Sequence, residues 1–277
     1  MNKLIVTGTV LAAALAAGAW HFTRSEPQPA TVVEPAVPQR TLRIALEGKY
    51  PPFEYLDSSK QLAGFNIDIA NALCAQMNAR CEFKRYDWEQ LIPVLGRGDA
   101  DAVIASMSIT PEREKQVLFT DVYTRVPGAY IARKDQHIIW PVLTSERLRD
   151  KTVGVAGDTT FADYLKHEIE PGHVRVTRFA SQEDAFAALE ANKVDVVFGD
   201  SAVLTDYLRK PGHAEQFELV GGKVQSSQWL GQGEAIAVPA GKTALRDEFN
   251  TALRTLIADG THARLQNRYF VFRVLEQ

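Results

Sequence analysis

The chain has 277 residues, 45% of them hydrophobic and 23% charged, which supplies one large or two moderate cores and excludes a disordered chain. Its 31 basic and 34 acidic residues give a formal net charge of -3. Lysines and arginines are dispersed rather than massed, so the footprint of a nucleic-acid binder is missing.

The first residues read as an export signal. Lys3 supplies a short positive region, Leu4 to Trp20 is uncharged and mostly apolar, and Ala17-Gly18-Ala19 offers a small-x-small cleavage site. An uncleaved anchor is the competing reading, because such a run sits at the lower limit for spanning a bilayer. No cysteine lies near the site, which argues against a lipoprotein. Pro27, Pro29, Pro35 and Pro38 then make a stretch with no helical or strand period and a stiff, extended preference. Residues 1–22 are thus a signal peptide or anchor and 23–40 a proline-rich linker, which would suit a stalk if the N-terminus stays in the membrane.

From Thr41 the pattern is a strand (Leu42 to Leu46), a proline loop (Tyr50 to Phe53) and a helical period through Phe65, Ile69, Leu73 and Met77. A strand around Cys81 to Phe83, a helix around Trp88 to Leu95 and a strand from Asp101 to Ser106 follow. Cys74 and Cys81 fit neither a redox CxxC nor a zinc knuckle, and in an oxidising compartment they predict a local disulfide.

The same grammar starts again with the strand Thr152 to Ala156, the loop Gly157 to Thr160 and the helix Phe161 to His167. Strands alternating with helices predict an α/β fold with largely parallel sheets, and the restart predicts two lobes. Leu95 to Val103 and Leu189 to Val197 each spell a helix end, a turn and a buried strand at equal spacing. The tail from Thr243 is a periodic helix, followed by Arg264 to Tyr269 and the aromatics Phe270 and Phe272, expected to pack back on the first lobe.

Several stretches stand in order between about residues 41 and 270: Tyr50-Pro-Pro-Phe-Glu54, Gly64-Phe-Asn-Ile-Asp-Ile-Ala70, Ile109-Thr-Pro-Glu-Arg-Glu-Lys-Gln-Val-Leu-Phe-Thr120, Phe198-Gly-Asp-Ser-Ala202 and Asp259-Gly-Thr261. Together they resemble the periplasmic polar amino acid-binding proteins of ABC importers, above all the arginine-binding and lysine/arginine/ornithine-binding members. The resemblance implies a Venus-flytrap fold, two α/β lobes joined by two crossing hinge strands with the ligand in the cleft. Lobe 1 would comprise residues 41–126 and 226–277 and lobe 2 residues 127–225. It also implies a periplasmic protein whose partners are a free amino acid and an ABC permease; no cofactor is expected, and a monomer is assumed.

An α-amino acid presents a carboxylate and an ammonium at fixed separation, so its site needs a forked cation and a fixed carboxylate. Arg113, in a helix start opened by Thr110 and Pro111, matches the family's carboxylate grip; the plain alternative is a surface arginine paired with Glu112 or Glu114. Asp200 ends the apolar run Val194 to Phe198 and by resemblance takes the ammonium, although it also suits the N-cap of the helix Ser201 to Leu208. Ser106 and Ser108 would offer hydroxyl and backbone groups to the same ends of the ligand. Ala105 stands where some relatives carry another serine. Thr159 and Thr160 would cap the carboxylate from the second lobe on closure, or simply cap a helix.

Glu47 resembles the acid that meets the ligand's distal cation, with Tyr50 and Trp88 sandwiching the side-chain stem or guanidinium. The charges of Arg113, Asp200 and Glu47 sum to -1, which a cationic ligand neutralises. A neutral ligand would leave Glu47 buried and uncompensated at about 3–5 kcal/mol. Planar stacking favours arginine, with lysine, ornithine and histidine following.

Other functions find less support. The six histidines form no metal-ligand spacing, and there is no P-loop, dinucleotide fingerprint or G-x-S-x-G frame. Some relatives of this fold are dehydratases of cyclic acids, in which Glu47 would be the acid or base. A membrane-anchored amino-acid sensor, reporting to a receptor, is the other alternative.

Overall fold

The computed structural model describes residues 40–275; the segment read as export signal and linker, apart from Arg40, lies outside them. β1 (Arg40–Leu46) is the expected apolar first strand. The proline loop is built into a small antiparallel sheet of β2 (Lys49–Tyr50), β3 (Glu54–Leu56) and β4 (Leu62–Ala63). α1 (Phe65–Gln76) starts where Gly64 adopts φ +122, and a Cβ there would lie 2.3 Å from the Phe53 carbonyl oxygen. That close approach lets the carbonyls of Pro52 and Phe53 accept from the amides of Phe65 and Asn66, which fixes the loop carrying Tyr50 to the helix start.

β5 (Ala79–Arg85) follows, and Cys74 is bonded to Cys81 across the α1–β5 turn. A 3-10 turn at Trp88–Gln90 precedes α2 (Leu91–Arg97), so the helix expected from Trp88 begins three residues later and leaves Trp88 on a turn. β6 (Ala102–Ser108), α3 (Pro111–Glu114) and β7 (Val117–Thr124) complete the first part of lobe 1. Lobe 2 carries β8 (Gly128–Arg133), β9 (Thr152–Ala156), α4 (Thr160–Tyr164), β10 (Arg175–Phe179), α5 (Gln182–Glu190), β11 (Val196–Asp200), α6 (Ser201–Leu208), α7 (His213–Gln216) and β12 (Phe217–Val224). The chain then returns to lobe 1 as β13 (Glu234–Pro239), α8 (Thr243–Ala258) and α9 (Thr261–Tyr269).

Each lobe is built on a five-stranded sheet, β5-β1-β6-β13-β7 in one and β10-β9-β11-β8-β12 in the other. β5, β1 and β6 run parallel, as do β10, β9 and β11, while the strands that enter or leave each lobe pair antiparallel. The sheets are therefore parallel only in their βαβ halves, because β7 and β12 leave for the opposite lobe and β8 and β13 arrive from it. Arg125–Pro127 and residues 225–233 are the two crossings.

The duplicated spacing has a physical counterpart. Asp101 accepts from the Arg43 amide through Oδ2 (2.8 Å) and donates its own amide to the Arg43 carbonyl (2.8 Å). Asp195 does the same to Thr152 in lobe 2, at 2.8 and 2.9 Å. Each aspartate thus precedes the third strand of its βαβ unit and closes on the first, at Arg43 within β1 and at Thr152 where β9 begins.

The tail packs on lobe 1 as expected. α8 lies against β7 and buries Phe249, Leu253 and Leu256, and the Phe270 ring sits 5.1 Å from Phe53 and 5.2 Å from Phe65. Fully burying each such side chain contributes about 1.5–3 kcal/mol. The tail is therefore part of the first core.

Candidate functional site

Glu47 follows β1, Ser106 and Ser108 end β6, Thr159 follows β9 and Asp200 ends β11. All stand at carboxyl ends of parallel strands, where α/β sheets open to ligands. Between the lobes lies a cavity enclosing about 610 Å³ of space not filled by atoms, part of it open to solvent. Glu47, Tyr50, Trp88, Ser106, Ser108, Arg113, Thr159 and Thr160 all line it.

Arg113 is positioned by its own short helix. Thr110 caps α3 by accepting the Arg113 amide at 3.3 Å, with Pro111 in the first turn. The guanidinium donates to the Ser108 carbonyl (Nη1, 2.9 Å) and reaches across the cleft to the Asp158 carbonyl (Nη2, 3.4 Å), with its carbon 5.4 Å from the centre of the Trp88 ring. No ion pair among the described residues involves Arg113, so the alternative of a surface pair with Glu112 or Glu114 does not hold. Burial pulls its pKa down to about 10, which still leaves it charged at neutral pH. A guanidinium held half-buried by carbonyls alone is a ready partner for a carboxylate.

The cleft is bridged by further bonds. Trp88 Nε1 donates to the Asp158 carbonyl (2.9 Å), and the Ser108 and Thr160 hydroxyls meet at 3.4 Å. Thr159 caps α4 through the Ala162 amide (3.2 Å) and donates to the Ala156 carbonyl (2.8 Å), so its hydroxyl is committed while Thr160 faces the other lobe. Ser106 and Asp158, one in each wall, adopt left-handed backbone conformations (φ +49 and +51). Such conformations in residues other than glycine persist where the surroundings enforce them. At Ser106 a buried network does so: its amide donates to Tyr123 Oη (3.0 Å), its hydroxyl accepts from Asn66 Nδ2 (3.2 Å), and Tyr123 donates to Asn66 Oδ1 (3.0 Å).

Asp200 is placed differently from the other candidates. It is fully buried and absent from the cavity wall. One oxygen caps α6, accepting from Ala202 (2.7 Å) and Val203 (3.3 Å), while Oδ2 meets no hydrogen-bond donor among the described residues. The capping and free roles weighed from sequence are thus divided between its two oxygens.

Two acids in the wall were assigned no role from sequence. Glu54 is buried and accepts from Asn66 Nδ2 at 2.5 Å; Glu234 is buried and accepts from the Thr124 hydroxyl. Burial pushes both carboxyls well above the usual range, and for Glu234 the charge of Asp200 adds to it. Burial also raises Asp200, to about 7, and Glu47. Glu54 lies in one of the matched stretches, but nothing around Glu234 marks it as buried. The cavity wall holds three carboxyls and one guanidinium.

Residues 42–272 match the bacterial extracellular solute-binding proteins, family 3. The chain belongs to that family. It is 36% identical over 237 residues to a putative ABC transporter arginine-binding protein 2 of Escherichia coli K12, covering 85% of this chain and 93% of the relative. Among solved structures, an ancestral arginine-binding protein bound to arginine superposes with TM-score 0.76 at 34% identity, over 83% of this chain and 98% of the other. An ancestral amino acid-binding protein that preceded cyclohexadienyl dehydratase superposes with TM-score 0.73 at 28% identity, over 83% and 95%. The chain is thus an extracytoplasmic solute-binding protein with the two-lobed fold of its family.

Proposed function

We propose that the protein captures a free cationic L-amino acid, arginine first and then lysine, ornithine or histidine, and delivers it to the permease of an ABC importer. The excess of carboxyls over the single guanidinium in the cavity wall is the observation that carries this reading. Arg113 and Ser108 grip the ligand carboxylate from lobe 1 while Thr160 meets it from lobe 2. Ser106 and the acids behind it take the α-ammonium. Glu47 faces the distal cation, with Tyr50 and Trp88 as the aromatic walls that a planar guanidinium stacks on. Relatives named or titled for arginine support the choice of ligand.

Capture follows from the two lobes. Each half of the site sits on a separate sheet, so a ligand that bridges Arg113 and the second-lobe loop makes its full contacts only when the cleft is shut, and its binding energy shifts the population toward closure. A shut cleft is then what a permease distinguishes from an empty one. Residues 1–22 carry the chain across the membrane, and membrane fractionation reads whether it stays tethered, as a sensor arrangement requires.

The test is thermal-shift screening of the ligand-stripped protein against all common amino acids and opines. A ligand at a hundred times its Kd stabilises the native state by about 2.7 kcal/mol. Arginine, lysine or ornithine should raise Tm strongly and neutral amino acids little. If only a cyclic carboxylic acid does so and is turned over, the enzyme reading replaces this one.

A further inference from the structure

Asp200 and Glu234 are both buried with their carboxyls within hydrogen-bond reach of each other, where the ammonium of the ligand is expected, yet no described ion pair includes either. Asp200 offers one oxygen that meets no donor among the described residues, and Glu234 stands in the cavity wall. Two carboxylates this close and this dry cannot both stay ionised without a cation, so the ligand-free pair holds a proton. Glu234 also lines a second, wide groove on the hinge side, together with Arg125, Lys223 and Arg273. It therefore touches the ligand cavity on one side and a route to solvent on the other.

We propose that Glu234 is the residue that meets the α-ammonium of the ligand, that it shares one proton with Asp200 in the ligand-free protein, and that ligand capture expels this proton to solvent through the hinge-side groove. The proposal rests on the amino-acid reading above. The balance is simple: one positive charge enters, one leaves, and the pair exchanges an O–H for a charge-assisted hydrogen bond to the ammonium.

The groups facing the pair allow it. Thr124 donates to Glu234 from β7, and Ser106 faces it from β6. Tyr50 and Tyr123 stay neutral, their phenols raised by burial. Glu54 and Glu47, also raised by burial, bring no positive charge to the pair. Among the described residues Arg113 is the only cation in the cavity wall, and it is bound to the carbonyls of Ser108 and Asp158, while Arg125, Lys223 and Arg273 line the outer groove and pair with neither acid. Pair and ligand therefore compensate each other.

The sign is fixed by linkage. Protons compete with the ligand, so affinity falls as pH drops below the upper ionisation of the pair and becomes flat above it. The test is calorimetric titration of the full-length protein with arginine, which keeps its charges across this range, in two buffers of different ionisation enthalpy. We expect about one proton released while the ligand-free pair holds one, fewer as pH rises through its upper ionisation, and Kd weakening about tenfold per pH unit lost below it. Glu234→Gln should abolish the release and flatten the pH profile. Asp200→Asn, which keeps the cap, should move the release to lower pH. Arginine binding with no proton release in the unsubstituted protein overturns the proposal and leaves the amino-acid reading intact, as does a Glu234→Gln protein that still releases one. Absence of binding to every amino acid at every pH overturns both.

Discussion

The indole of Trp88 in lobe 1 donates to the backbone carbonyl of Asp158 in lobe 2 at 2.9 Å, tying an aromatic wall of the cleft to the loop that closes over it. The same carbonyl accepts from Arg113, whose guanidinium lies over the Trp88 ring. One strained residue therefore gathers the aromatic and the cation on the facing lobe. Trp88→Phe keeps an aromatic wall but removes the N–H, and a hydrogen bond of this kind is worth about 0.5–1.5 kcal/mol. Arginine affinity should fall about two- to tenfold, and more with Trp88→Ala, which also loses the platform. Titration calorimetry checks this, and equal losses for Phe and Ala would show that the bond and not the ring matters.

Arg113→Lys should weaken every amino-acid ligand alike. A lysine ammonium keeps the charge but lacks the planar fork that satisfies a carboxylate and the Ser108 carbonyl together. Charge-assisted hydrogen bonds are worth about 1.5–3 kcal/mol, so Kd should rise roughly ten- to a hundredfold without a change in the ranking of ligands. Competition assays across the cationic amino acids read both quantities.

Glu47→Gln should do the opposite, changing the ranking more than the grip. With the charge gone, arginine and lysine lose their distal partner while a neutral ligand such as glutamine no longer leaves an acid uncompensated. The ratio of arginine to glutamine affinity should fall by at least tenfold if Glu47 is as dry as its raised carboxyl pKa indicates. An unchanged ratio would assign the distal cation to another acid, Glu54 being the nearest candidate in the wall.

Why the fold was legible while half of the electrostatics was not can be argued from single residues. The alternation of Leu42 to Leu46, Thr152 to Ala156 and the long period from Thr243 is local, and local pattern sets the element. Arg113 is placed at the cleft by the matched stretch it sits in, since Thr110 and Pro111 alone announce only a helix start, where a surface arginine is the commoner outcome. Trp88 was placed one element too deep: a 3-10 turn, not the helix, carries it. Glu234 gave no signal, since an acid after Gly231-Gln-Gly233 reads as a solvated turn. Its burial arises only when β13 returns from lobe 2 and pairs with both β6 and β7, a contact spanning over a hundred residues of sequence. Asp200 is buried where the end of β11 pairs with β8, a fact that no cap preference at its own position encodes.

Removing the Cys74–Cys81 bond tests how far the first core depends on it. The bridge closes a loop of seven residues' separation between α1 and β5, and chain-entropy estimates for so short a loop give about 2.5 kcal/mol. The pair Cys74→Ala and Cys81→Ala should lower Tm by roughly 5–10 °C, taking about 2–4 °C per kcal/mol for a domain of this size. Ligand affinity should be unchanged, because neither cysteine lines the cavity.

The buried acids make the ligand-free protein sensitive to base rather than acid in this part of the molecule. Glu54 has its carboxyl raised well above the ordinary value by burial, with the charges of Glu47 and Glu234 adding to it and the Asn66 bond opposing. The folded state therefore holds a proton that the unfolded chain releases near pH 4.5, so the native state is favoured fully below that pH and loses stability as pH rises toward the folded-state ionisation. Glu54→Gln keeps an acceptor for Asn66 Nδ2 and removes the titration. Melting temperature followed from pH 4 to 8 should fall less steeply with rising pH in the variant, which should match or exceed the parent at pH 8. A steeper fall in the variant would mean that Glu54 is ionised in the native state and held there by the cavity, and the charge balance of the site would have to be redrawn with Glu54 as a full negative charge.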